Sequence, residues 1–198
     1  MVDLTQFLAG PYCTLLLADL GARVIKIEPS EGDSTRDLPP YFVKGTSAYF
    51  LSINRTKESI VIDLKRPEGR NVVLDLVRRA DIVVENFRPG VLQRLGLSYE
   101  KLAEINPGIV LCSISGFGQS GPDAQMPAYD AIVQALSGIL SITGVPGERP
   151  VRTGVPIGDL AGGMFGTIGL LAALCEKRLT GRGRHVDIAM LDSQIALL

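Results

Sequence analysis

The sequence predicts an α/β fold, a Rossmann-like parallel sheet with helices on both faces, and three observations carry that prediction. Short, continuously apolar runs recur along the chain at Val24–Ile27, Ile60–Ile62, Ile82–Val84 and Ile109–Leu111. Runs of that length without polar alternation are strands buried on both faces, the habit of parallel sheets. Between them lie stretches with apolar residues at helical spacing, so strand and helix alternate. Finally, 198 residues with 46% hydrophobic content suit one domain with its own core, and no repeat, linker or low-complexity tract interrupts it.

Taken in order, Val2-Asp3-Leu4 is the tail of a first strand. A helix follows from Pro11 to Leu20, with proline at its first position and Gly21 as its C-terminal cap. Val24–Ile27 is the next strand, followed by a polar loop through Pro40; Tyr41–Asn54 carries no assignable pattern. The strand Ile60–Ile62 leads into a helix from Pro67 to Ala80, with Glu68 in its first turn and Arg78-Arg79 in its last, as the helix dipole favours. Strands Ile82–Val84 and Ile109–Leu111 flank short helices at Val91–Leu95 and Tyr99–Ile105. A helix near Tyr129–Leu140, a long helix from Leu160 and a strand at Val186–Leu191 complete the chain.

Composition narrows the function classes. The formal net charge is −1 with both signs interspersed, so no field points to nucleic acid or an acidic membrane surface. Cys13, Cys112 and Cys175 stand in apolar contexts without CxxC spacing and read as reduced core thiols of a cytoplasmic protein. His185 is the only histidine, so a zinc site or triad needing two is excluded and no metal is expected. It alternates with Asp187 on the last strand, as a solvated surface pair would. The apolar run 160–175 is shorter than a membrane span and reads as a buried helix, so no membrane partner is expected.

The chemistry is placed in Gly154–Gly166. Apolar residues Leu160, Met164, Ile168, Leu171, Cys175 and Leu179 form one helical face, and Asp159 stands before it where an N-cap belongs. One reading is a structural cap. The other is a carboxylate held ionised at a helix N-terminus, ready to act as a nucleophile. Ala161, Gly162, Gly163 and Gly166 leave the first turns nearly bare at a cost of about 1 kcal/mol per glycine, so another segment or a ligand approaches closely. Ligands of parallel sheets bind beyond the strands' carboxyl ends, which nominates Thr5–Ala9, Glu28–Gly32, Asp63–Lys65, Glu85–Phe87 and Ser115–Gly121. Gly116–Gly121 fits G-x-G-x-x-G, but Pro122 and Pro127 stand where a helix should open, so dinucleotide binding is not expected. Lys65, Arg66, Arg88 and Arg94 near strand ends suit a phosphate-bearing ligand.

Five stretches together resemble the class III CoA-transferases, the formyl-CoA transferase-like family: Thr5–Pro11, Leu20–Glu28, Gly32–Arg36, Val84–Gly90 and Gly154–Gly163. The resemblance implies that Asp159 is the nucleophile and that Ala9, Lys65, Asn86, Phe87, Arg94, Tyr129 and Met190 surround coenzyme A. It implies an acyl-CoA and a carboxylic acid as substrates, with no permanently bound cofactor, and reaction through anhydride and aspartyl-CoA thioester intermediates. It also implies an interlocked homodimer, and a first strand and second small domain extending beyond both ends of these residues. Pro29 and Pro127 depart from positions where some members carry arginine and lysine. Two alternatives remain: an alpha-methylacyl-CoA racemase, whose histidine position is Tyr129 here, and an inactive fragment that needs a partner chain.

Overall fold

The computed structural model describes residues 1–198. Its strands are β1 (Val2–Asp3), β2 (Ile25–Glu28), β3 (Phe42–Val43), β4 (Thr46–Ser47), β5 (Glu58–Val61), β6 (Ile82–Glu85), β7 (Val110–Ser115) and β8 (His185–Ala189). Its helices are α1 (Ala9–Asp19), α2 (Ala48–Asn54), α3 (Pro67–Val77), α4 (Val91–Arg94), α5 (Tyr99–Ile105), α6 (Asp130–Ser137), α7 (Ile157–Thr180) and α8 (Met190–Ile195). The stretch without an assignable pattern is the antiparallel hairpin β3–β4 followed by α2, whose N-cap Ser47 accepts the Tyr49 N–H. The last strand stops at Ala189, and Met190 already belongs to α8.

Six strands form one parallel sheet in the order β5-β2-β1-β6-β7-β8. Counted within the sheet alone, that is the doubly wound order 3-2-1-4-5-6, with its reversal between β1 and β6. Successive residues on the central strands face opposite layers. Val83 and Leu111 pack with Val73 and Val77 of α3 and Leu102 of α5, whereas Val84 and Cys112 pack with Cys13 and Leu17 of α1 and Leu170 of α7. Both faces are thus apolar, which is why the strands lack alternation in sequence.

The long helix α7 reverses the expected face. Apart from Leu170 its buried residues are small: Gly158, Ala161, Gly162, Gly163, Gly166, Thr167 and Ala173. Met164, Ile168 and Leu171 are exposed, and Leu179 is 88% exposed. The close approach of α1 is the reason. A Cβ added at Gly163 would lie 2.8 Å from the Ala9 carbonyl oxygen, and one at Gly166 would lie 3.2 Å from Cys13 Sγ. The bare turns therefore admit a neighbouring helix. By length and composition α7 passes as a candidate membrane span, but its small-residue face is packed on α1 and the sheet. Cys13 and Cys112 are buried as expected, whereas Cys175 lies on the outer face of α7 and is exposed.

Candidate active site

A cavity of about 280 Å³ opens beyond the carboxyl ends of β1, β6 and β7, at the point where the strand order reverses. Ala9, Asn86, Phe87, Tyr129, Asp159 and Met190 all line it. The structure thus brings together six of the eight residues singled out from the sequence. The other two lie elsewhere. Lys65 lines an adjacent cavity of about 230 Å³ that shares Phe87 as its wall. Arg94 closes α4 with its guanidinium against Gly90 and lines neither. A larger hollow, about 730 Å³, sits at the amino ends of the strands, the wrong end for ligands of this fold.

The loop after β1 is fixed from beneath. Asp3 is fully buried and accepts hydrogen bonds from the Thr5 N–H and from the hydroxyls of Thr5 and Thr14, with Lys57 Nζ 3.1 Å away. Burial alone would push the Asp3 carboxyl up; Lys57, Lys26 and the two hydroxyls hold it below its ordinary value. Lys26, itself buried, donates to the Thr5 carbonyl at 2.7 Å and pairs with Asp33 at 2.8 Å. From the other side, Asn86 Oδ1 accepts the Gln6 N–H at 2.8 Å and Asn86 Nδ2 donates to the Gln6 carbonyl at 2.7 Å. This over-determined loop holds Phe7 at φ 63°, a left-handed conformation costly for a bulky residue, with its half-exposed ring at the cavity. The Asn86 amide is committed to the loop, so its part in the site is to shape the wall.

Asp159 is not the N-cap of α7. The helix begins at Ile157 after Pro156, which supplies no capping side chain, and Asp159 sits in its first turn. The cap comes from another helix: Asp130 Oδ1 accepts the Gly158 N–H at 2.7 Å and the Asp159 N–H at 3.4 Å, while its Oδ2 accepts from Gln134 at 2.6 Å. Nor is Asp159 held strongly ionised by its helix. Burial first, and the Asp130 charge second, push its carboxyl up to about 7, with a hydrogen bond from the Ala9 backbone pulling the other way.

Three further side chains complete the site: Tyr49 and Asp130, which sequence reasoning missed, and Arg88, which it grouped with the cations near strand ends. Tyr49, delivered by α2, lines the cavity; burial, then the charges of Asp159 and Asp33, raise its phenol well above the ordinary value, so it stays a hydrogen-bond donor. Its helix lay in the stretch without a pattern, and no sequence signal marked it. Arg88 is the only cationic side chain on the cavity wall. Asp130, at the start of α6, is the second residue missed, because a cap contributed across the tertiary fold has no local spacing.

The segment Gly116–Gly121 opens no helix. Its first glycine lets the backbone of β7 approach α6: a Cβ at Gly116 would meet Ala128 Cβ at 2.1 Å, so only glycine lets Tyr129 and Asp130 reach the cavity. His185 lies outside the cavity, stacked on Tyr99 with ring centroids 5.7 Å apart and its Nε2 2.9 Å from Ser113 Oγ. The expected surface pair with Asp187 is not formed, since that carboxylate accepts the Gln119 N–H. The result is an apolar cavity with one carboxylate of raised pKa, a protonated phenol and a guanidinium, suited to acyl-transfer chemistry on an anionic or ester-like ligand.

The chain is 52% identical over 200 residues to the acetyl-CoA:oxalate CoA-transferase of Acetobacter aceti, spanning all of this chain and 51% of that protein. It is 46% identical over 199 residues to the human succinyl-CoA:glutarate CoA-transferase, of which it spans 45%. The crystal structure of a CAIB/BAIF family protein from Brucella suis superposes with a TM-score of 0.96 at 43% identity, over 100% of this chain and 53% of that one. The chain thus spans about half the length of the curated relatives it matches. The family model for CoA-transferase family III matches residues 1–198, and the chain belongs to that family.

Proposed function

We propose that the protein carrying this chain moves coenzyme A from an acyl-CoA donor to a carboxylic acid, with Asp159 as the covalent nucleophile. The observation that carries the proposal is the position of Asp159 on a cavity at the strand-order reversal, beside residues the family resemblance assigns to coenzyme A. The ionised Asp159 oxygen attacks the donor's thioester carbonyl; the C–S bond breaks, leaving a mixed anhydride and the CoA thiolate. The thiolate attacks the aspartyl carbonyl and releases the donor acid, so CoA is held as an aspartyl thioester. The acceptor carboxylate attacks that carbonyl and expels the thiolate, forming a second anhydride. Attack of the thiolate on the acceptor carbonyl then frees Asp159 and the new acyl-CoA.

The backbone N–H of Gly158 is taken by Asp130, so the glycine-rich turn does not supply a free donor there. The Tyr49 hydroxyl and Arg88 guanidinium are donors on the cavity wall, and we assign them stabilisation of developing oxyanions and of substrate carboxylates. Relatives are named for oxalate and glutarate, which is consistent with a cation at the wall and supports a short dicarboxylic acid as one substrate. Racemisation would require a second proton-transferring residue such as histidine, and the sole histidine bonds Ser113 outside the cavity. The homodimer belongs to the same proposal, supported by the exposed apolar stripe of α7. A monomer mass by light scattering of the whole protein would remove it.

Asp159→Ala is expected to abolish transfer while leaving CoA binding intact by calorimetry. Hydroxylamine added during turnover should label Asp159 in the wild type. Sustained turnover by the alanine variant would return Asp159 to a structural part in the first turn of α7.

A further inference from the structure

We propose that Asp130 is the positioning residue of this site: its carboxylate, carried by α6, caps α7 from outside and fixes the turn bearing Asp159 at the cavity wall, with a second negative charge beside the reacting one. The inference rests on Asp159 acting as nucleophile and concerns how it is placed and made basic.

A helix start needs acceptors for its free N–H groups; the Val155 carbonyl takes that of Ile157, but the N-cap Pro156 brings no side-chain acceptor for the next. Asp130 fills that need from 28 residues upstream. It is itself fixed: fully buried Gln134 donates to Oδ2 at 2.6 Å, and the Oε1 of the same glutamine accepts the Thr153 N–H at 3.0 Å. One side chain therefore ties the cap to the loop that leads into α7. Gly158 has no room for a side chain, since an added Cβ would lie 3.0 Å from Asp130 Oδ1 and 2.4 Å from the terminal amide of Gln194, whose oxygen, turned inward, accepts the same Gly158 N–H. The approach of Asp130 to the turn is thus built in from both sides.

The arrangement has an electrostatic consequence. Two carboxylates line one cavity, and the charge of Asp130 opposes ionisation of Asp159, acting after burial to raise it. The other ionisable groups on the cavity are Tyr49 from α2, Arg88 from the loop after β6, and Tyr129 before α6; α8 contributes Met190, and α1 contributes Ala9. Burial holds the Tyr49 phenol neutral and Arg88 is a cation, so the like charge acting on Asp159 comes from Asp130. A more basic carboxylate is a stronger nucleophile once ionised, so the pairing raises reactivity near neutral pH at the expense of an acid limb.

The test is the pH profile of kcat/KM for Asp130→Asn and Asp130→Ala in the whole enzyme, with Asp159→Ala alongside. Asparagine keeps an oxygen for the Gly158 N–H and drops the charge. Its acid limb should move to lower pH by about one unit, the scale of a neighbouring like charge. Alanine removes the cap as well, and kcat should fall roughly ten- to hundredfold at every pH through misplacement of the nucleophile. A purely structural cap would leave the asparagine profile unshifted, and that result, with Asp159→Ala inactive, overturns this inference alone. Wild-type kcat in Asp130→Ala also overturns it. Turnover by Asp159→Ala would instead remove the nucleophile reading on which the inference depends.

Discussion

Replacing Asp159 with asparagine should make the protein more stable, and by an amount that depends on pH in a defined direction. The carboxyl is raised from 3.8 to about 7 in the folded state, by burial first and by Asp130 second. Between those two values the folded protein binds more protons than the unfolded chain, so stability falls as pH rises through that window and stays low above it. A pKa unit corresponds to about 1.4 kcal/mol, which puts the full penalty near ~4 kcal/mol. Asp159 is only part-buried, and solvent screening reduces the usable figure to about 2 kcal/mol. For a chain of this size that is a rise of roughly 4–8 °C in Tm. Asparagine keeps an oxygen for the Ala9 N–H and cannot ionise. Thermal melts of both proteins should therefore differ most at pH 8, by less than half as much at pH 5, and not at all below about pH 4. A variant no more stable than wild type at pH 8 would show that the site does not oppose the charge, and the expected acid limb of activity would have no basis.

Other perturbations follow from the same geometry. Gly163→Ala drives a Cβ to 2.8 Å from the Ala9 carbonyl oxygen and 2.9 Å from the Tyr12 ring, so α1 and α7 must part; denaturant melts should show a loss of about 1–3 kcal/mol. Asn86→Ala removes both bonds to the Gln6 backbone and frees Phe7 from its left-handed conformation, so KM for acyl-CoA should rise together with a drop in Tm. An unchanged melting temperature there would mean the clamp does not hold the loop.

Much of the fold was legible because the central strands are covered on both faces and thus apolar throughout, as in Ile82–Val84 and Ile109–Leu111. The same logic failed for α7. Large apolar residues mark the inner face of most helices, but here α1 approaches the first turns so closely that only glycine, alanine and threonine fit before Leu170, and Met164, Ile168 and Leu179 face outward. Cys175, read as a core thiol from its apolar neighbours in sequence, lies on that outward face. In the site, the rule that ligands sit beyond strand ends nominated the loops carrying Ala9, Asn86 and Phe87, all of which reach the cavity. It also nominated Lys65, which faces the neighbouring hollow, because the rule selects an edge of the sheet and not one crevice along it. Tyr49 and Asp130 were beyond reach, since their roles depend on where α2 docks against α1 and α6 against α7.

The placement of Asp159 shows why the small face of α7 and the chemistry belong together. A helix that packs by glycine brings its backbone within van der Waals reach of α1, and the Ala9 N–H thereby becomes a hydrogen-bond partner of the Asp159 carboxylate. A bulkier inner face would push the α7 start outward by the width of a side chain, away from both Ala9 and Asp130. The about 1 kcal/mol that each helical glycine forgoes is offset by that close contact and by the cap from α6. Of the two approaches the glycines allow, a chain segment or a ligand, they admit a segment, and the cavity lies beside them, walled by Phe87, Tyr129 and Met190. The stability cost of a half-buried, poorly ionised carboxylate at that junction is what the proposed chemistry makes use of.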